Sequence, residues 1–206
     1  NCLLGVCESA SMLGYNVLIT TSNAHDISEL QSLVESNRVD GMLLTRALED
    51  DRALQYLSQA NFPTALTGTC RYDNIIQVDT DNEGAAEKMT TLLIGKGFRR
   101  FAFLVKDMSY NVDRKRHEGF CRALIKNGIS EKDQLFYNGS IRMEFLDAII
   151  ENIISKKVEC IICGDDEICT MVMSRLQAEG YRIPKDVAIA SLYNSTRSEE
   201  HTSELQ

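Results

Sequence analysis

The chain has 206 residues, with 22 Lys+Arg against 30 Asp+Glu and a formal net charge of −8. Its 44% apolar and 25% charged residues are ordinary for a globular protein, and an acidic surface argues against direct contact with a nucleic-acid backbone. No apolar run nears the roughly 20 residues of a membrane span, and nothing at the start reads as a signal peptide.

The chain opens at Asn1 inside an apolar pattern, as though cut within an element. Residues 2–13 read as a helix closed by Gly14, and Tyr15–Thr21 as a β-branched strand. Asp26–Asn37 carries Ile27, Leu30, Leu33 and Val34 at helical spacing. Strand Gly41–Thr45, helix Asp51–Gln59, strand Pro63–Thr67 and short strand Ile75–Val78 follow. Then come helix Asp81–Lys96 and strand Phe101–Val105. The alternation continues with helix Asp113–Asn127, strand Leu135–Tyr137 and helix Arg142–Ser155. It closes with strand Cys160–Cys163, helix Asp166–Glu179 and strand Val187–Ala190.

Strands alternating with helices imply an α/β fold with parallel sheets covered on both faces. There are too many units for one small sheet. The polar stretch 106–112 predicts a division into an N-terminal lobe, 1–105, and a C-terminal lobe, 106–196. Residues 197–206 (Arg-Ser-Glu-Glu-His-Thr-Ser-Glu-Leu-Gln) are polar, lack turn logic and resemble the translation of a sequencing adapter. They are expected not to be native, and the charge stays acidic without them.

Seven cysteines without framework spacing argue against a disulfide-stapled secreted domain and point to a reducing cytoplasm. Cys160-Ile161-Ile162-Cys163 is formally a CxxC, but it lies within an apolar run and reads as a buried strand. No Walker A loop, Gly-x-Gly-x-x-Gly loop or nucleophile elbow occurs. His25 and His117 are not paired with a nucleophile, so no catalytic residue, metal site or cofactor is expected. Ligands of such α/β lobes bind at the carboxyl ends of the strands, so candidate residues should follow strands.

Six strings, taken in order, carry a resemblance. They are Gly14-Tyr15-Asn16-Val17-Leu18, Arg38-Val39-Asp40-Gly41-Met42-Leu43-Leu44 and Asp81-Asn82-Glu83-Gly84. The others are Gly97-Phe98-Arg99-Arg100-Phe101-Ala102-Phe103, Arg116-His117-Glu118-Gly119-Phe120 and Ile183-Pro184-Lys185-Asp186-Val187-Ala188-Ile189. Together, over residues 2–195, they resemble the effector-binding core of the lactose/galactose-repressor (LacI/GalR) family.

The resemblance implies two Rossmann-like lobes, similar to type I periplasmic binding proteins, with a small effector between them. It implies a cytoplasmic, homodimeric repressor that reads operator DNA through an N-terminal helix-turn-helix outside this sequence. It also implies a first strand upstream of Asn1, central in its sheet. Residues 1–196 alone are then expected to expose strand edges and to lack stability. A solute-binding protein of an importer, or a sensory domain fused to another output, shares this fold and remains the alternative.

Arg116 matches the family's Arg-x-x-Gly-Phe motif, and its donor fork suits hydroxyls, a carboxylate or a purine edge. Its alternative role is a surface ion pair with Glu118 or Asp113. Asp165, next to Asp166 after the Cys160–Cys163 strand, is expected to face the cleft; helix capping is the alternative. Asp81 heads a helix, where capping and ligand contact compete. Tyr193 stands where sugar-sensing relatives often carry an aspartate, which points away from a plain hexose toward a sugar-like or nucleoside-like effector. Asn194 beside it could supply polar contacts.

Overall fold

The structure is a computed structural model that describes residues 2–21, 26–139 and 143–193. Helices α1 (Cys2–Met12) and α2 (Ser28–Glu35) precede a three-stranded sheet. That sheet contains β1 (Met42–Leu44), β2 (Thr64–Thr67) and β3 (Ile76–Val78), in the order β1-β2-β3, with helix α3 (Arg52–Gln59) between β1 and β2. After helix α4 (Asn82–Gly95) come β4 (Phe101–Val105), α5 (Asn111–Lys126), a 3-10 turn (Glu131–Asp133) and β5 (Leu135–Asn138). Helix α6 (Met143–Ser155), β6 (Cys160–Cys163), α7 (Asp166–Ala178) and β7 (Ala188–Ser191) complete the described chain. The second sheet runs β5-β4-β6-β7. Every ladder between these strands is parallel, so the expected two-sheet α/β architecture is present.

Period-two alternation along β4 builds two cores. Phe101, Phe103 and Val105 face α4 and α5, packing with Leu93, Ile94, Phe120 and Leu124. Ala102 and Leu104 face α6 and α7, packing with Leu146, Ile150, Ile153, Ile168 and Val172. Phe103 stacks on Phe120 at 4.9 Å between ring centroids. Each such fully buried side chain stabilises the fold by about 1.5–3 kcal/mol. The first sheet is covered more lightly. Leu30 of α2 and Leu54 and Leu57 of α3 pack near Met42, Leu44 and Leu66.

The same alternation separates the CxxC cysteines. Cys160 faces the α4/α5 core and Cys163 the α6/α7 core, on opposite sides of the sheet, so they do not face one another. Both are buried free thiols, as the strand reading requires.

Two expectations differ from the structure. Tyr15–Thr21 forms no strand. Its Tyr15, Leu18 and Ile19 are 59%, 61% and 61% exposed. β-propensity holds an extended segment only when a neighbour accepts its hydrogen bonds, and no strand among the described residues lies alongside. The second difference is where the sheets divide the chain. β4 lies inside the second sheet, with Phe101 opposite Cys160 and Ala102 opposite Leu135, and α4 packs along α5. The division between sheets therefore falls after Val78 rather than after residue 105. A polar stretch after β4 marks a loop, not a change of sheet. Asn194 and the tail 197–206 lie outside the described residues.

Candidate functional site

Carboxyl ends of strands from both sheets converge on α5. Lys106 follows β4, Gly164 and Asp165 follow β6, Tyr193 follows β7, and Asp79 follows β3. α5 starts at Asn111, two residues before the expected Asp113, and places Arg116 in its second turn.

Arg116 bridges the start of α4 and the end of β6. Its Nε donates to Asn82 Oδ1 at 3.1 Å and its Nη1 to the Gly164 carbonyl at 2.6 Å. Among the described residues it makes no ion pair, neither with Glu118 nor with Asp113. Burial lowers its pKa, against the pull of Asp113, Asp165, Asp79 and Tyr193, which favour the charged form. It remains a cation near neutrality.

Asp113 is 7% exposed, and its Oδ2 accepts the Asp107 amide at 3.0 Å. Burial raises its pKa; that amide and Arg116 oppose the rise, while Asp165 adds to it. Asp165 Oδ1 accepts the Ile168 amide at 2.8 Å and caps α7, while Oδ2 lies 3.2 Å from Lys106 Nζ. Lys106 also holds Glu167. Burial pulls the Lys106 pKa down, but the bonds to Glu167 and Asp165 leave it raised overall.

The expected residues are thus distributed unevenly. Arg116, Asp165 and Tyr193 share one neighbourhood, with Asp165 capping and pairing at once. Tyr193 is 52% exposed and is steadied by Ser191, whose hydroxyl donates to the Tyr193 carbonyl at 2.7 Å. Asp81 caps α4 through the Gly84 amide at 2.8 Å and makes no bond to Arg116. Asn194 is outside the described residues.

Asn82, Lys106 and Asp79 are participants that residue patterns did not single out. Asn82 sits within the string Asp81-Asn82-Glu83-Gly84, and Lys106 directly follows a strand. Those positions were the available signals.

A separate open groove of about 420 Å³ lies where first-sheet loops meet the start of α5. Leu48, Thr69, Tyr72, Asn111 and Lys115 help line it. Here Glu49 N donates to Ser109 O at 3.0 Å and Asn111 Nδ2 to Thr69 O at 2.7 Å, while Arg114 pairs with Glu49. No helix among the described residues is long and apolar enough to cross a membrane.

Comparison with known proteins agrees with this architecture. Residues 1–198 match the family described as periplasmic binding proteins and sugar binding domain of LacI family. Catabolite control protein A of Staphylococcus xylosus is 26% identical over 197 residues, which is 94% of this chain and 59% of that protein. The HTH-type transcriptional regulator CelR of Thermobifida fusca is 27% identical over 203 residues, 96% of this chain and 60% of that protein. The chain therefore spans about 60% of the length of these curated relatives. A LacI-type transcriptional regulator from Bacillus cereus subsp. cytotoxis NVH 391-98 superposes with a TM-score of 0.89 at 29% identity, covering 98% of this chain and 73% of that one. A CelR–cellobiose complex superposes with a TM-score of 0.78 at 26% identity, covering 91% of this chain and 59% of that one. With two parallel sheets, their carboxyl ends converging on Arg116, and a family match across nearly its whole length, the chain belongs to the family of periplasmic binding proteins and LacI-family sugar-binding domains.

Proposed function

We propose that this chain is the ligand-sensing domain of a transcriptional repressor and that it binds a small saccharide around Arg116. The single observation that carries the reading is the position of Arg116. A half-buried guanidinium, without a carboxylate partner among the described residues, stands where strand ends of both sheets meet. Around it, Lys106 and the carboxylates of Asp79, Asp113 and Asp165 mix donors with acceptors, which suits an uncharged polyhydroxylated molecule. Tyr193 adds an exposed ring that can lie against a sugar face. The relatives named as transcriptional regulators, and the one solved with cellobiose, support both halves of the proposal.

The two lobes follow the two sheets: residues up to Val78, and residues from Asn82 onward. Ligand binding changes their relative set, and the DNA-reading segments of a homodimer respond. The net charge of −8 fits a domain that leaves DNA contact to other residues.

Calorimetric titration with mono- and disaccharides, including cellobiose, and with nucleosides tests the ligand class. Saturable binding of a saccharide that is lost in Arg116→Ala is expected. Binding of nucleosides alone overturns the saccharide reading. Operator binding by the full-length gene product that responds to the same saccharide tests the output, and a gene encoding an export signal ahead of this domain overturns it.

A further inference from the structure

Asn82 is 5% exposed, and every polar group of its side chain is used. Oδ1 accepts from Arg116 Nε at 3.1 Å. Nδ2 donates to Asp79 Oδ1 at 2.9 Å and to Thr80 O at 3.1 Å. The two acceptors around the nitrogen fix which end of the amide is which, so the oxygen is the atom aimed at Arg116. The Asn82 backbone N–H closes the turn on Thr80 O at 2.7 Å.

The location gives these bonds their meaning. Residues 79–81 carry the chain from β3 of the first sheet to α4, which packs on the second. A continuous line of hydrogen bonds therefore runs from the crossover, through Asn82, to Arg116 and on to the Gly164 turn at the end of β6. Arg116 has no carboxylate partner among the described residues to hold it in place. Its direction depends on two neutral oxygens, one of which Asn82 supplies.

We infer that Asn82 is the positioning residue of the site: it orients the Arg116 guanidinium and ties it to the crossover between the two sheets. A ligand that engages the remaining N–H groups of Arg116 alters the strength of the Asn82 bond, and with it the hold on residues 79–81. Occupancy and crossover are linked in both directions. The orientation of Arg116 stands on geometry alone; only the response to ligand rests on the proposed effector role of Arg116.

Two ligand-free measurements test it. The Arg116 Nε–Hε signal in nitrogen-edited NMR should exchange with water about tenfold faster in Asn82→Ala than in the unaltered protein, the scale of one lost hydrogen bond to a charged donor. Asn82→Asp keeps an acceptor for Arg116 and should keep the Nε–Hε protection, while losing both donors to Asp79 and Thr80 O and so loosening residues 79–81. Conversely, Arg116→Ala should speed amide hydrogen exchange at residues 80–82. Unchanged Arg116 exchange in a folded Asn82→Ala protein overturns the positioning role. Unchanged exchange at 80–82 in Arg116→Ala overturns the tie, and decides the matter should Asn82→Ala not fold. If both effects appear while no saccharide binds, the positioning stands and the proposed function falls.

Discussion

Gly119 of α5 lies against the Glu83 carbonyl of α4, so close that a Cβ at residue 119 would overlap that oxygen. The absent side chain lets the two helices meet backbone to backbone. Because α4 begins at Asn82 and α5 carries Arg116, this close approach also brings the two ends of the site's central hydrogen bond together.

Gly119→Ala should destabilise the protein by about 1–3 kcal/mol, the usual cost of overpacking, because the contact is backbone and cannot swing away. Urea unfolding checks this. A midpoint equal to that of the unaltered protein would mean the helices separate at no cost.

Arg116→Ala should weaken saccharide binding by about 1.5–3 kcal/mol, the usual loss when hydrogen bonds from a half-buried charged donor are removed. Calorimetry with the ligand found in the saccharide series measures it. Unchanged affinity would leave Arg116 as a structural bridge between Asn82 and Gly164 only.

His117 predicts a pH dependence. Its ring lies 4.2 Å from that of Phe136 and 6.1 Å from that of Phe103, with Cys121 Sγ 3.5 Å from Nε2. Burial lowers its pKa, against the opposing pull of Glu131 and Glu118. The unfolded chain protonates this imidazole at about pH 6.5, and the folded chain only at lower pH. Its contribution is therefore complete above about pH 6.5 and is lost as pH falls toward the lowered folded value. Unfolding midpoints at about pH 7.5 and about pH 5.5 should differ less in His117→Phe than in the unaltered protein. An equal difference in both would refute the assignment.

Asp51 caps α3, with Oδ1 accepting the Ala53 amide at 3.0 Å and the Leu54 amide at 3.1 Å. Its Oδ2 also accepts the Leu48 amide at 3.3 Å, fixing the loop beside the groove. Asp51→Ala should cost about 1 kcal/mol, read from thermal unfolding. Asp51→Ser should recover most of it. No recovery would show that the loop, rather than the cap, carries the effect.

The residue pattern made the strand–helix alternation legible because each signal is local. The helical spacing of Ile27, Leu30, Leu33 and Val34, the apolar run that holds Cys160–Cys163, and the capping position of Asp165 all act over a few residues. Arg116 was legible through its motif, and its bond to Gly164 was not, since those residues are 48 positions apart.

By itself, the sequence determined the fold class, most element positions and one cation of the candidate site, since propensity, periodicity and motif spacing reside in neighbouring residues. Only the tertiary structure decided three other matters. It assigned β4 to the second sheet, because ladder partners such as Phe101 and Cys160 are distant in the chain. It left Tyr15–Thr21 without a ladder, because a strand exists only with a neighbour to bond. And it brought Asn82 to Arg116, because orientation of a half-buried guanidinium is set by whichever acceptors the packed helices deliver to it.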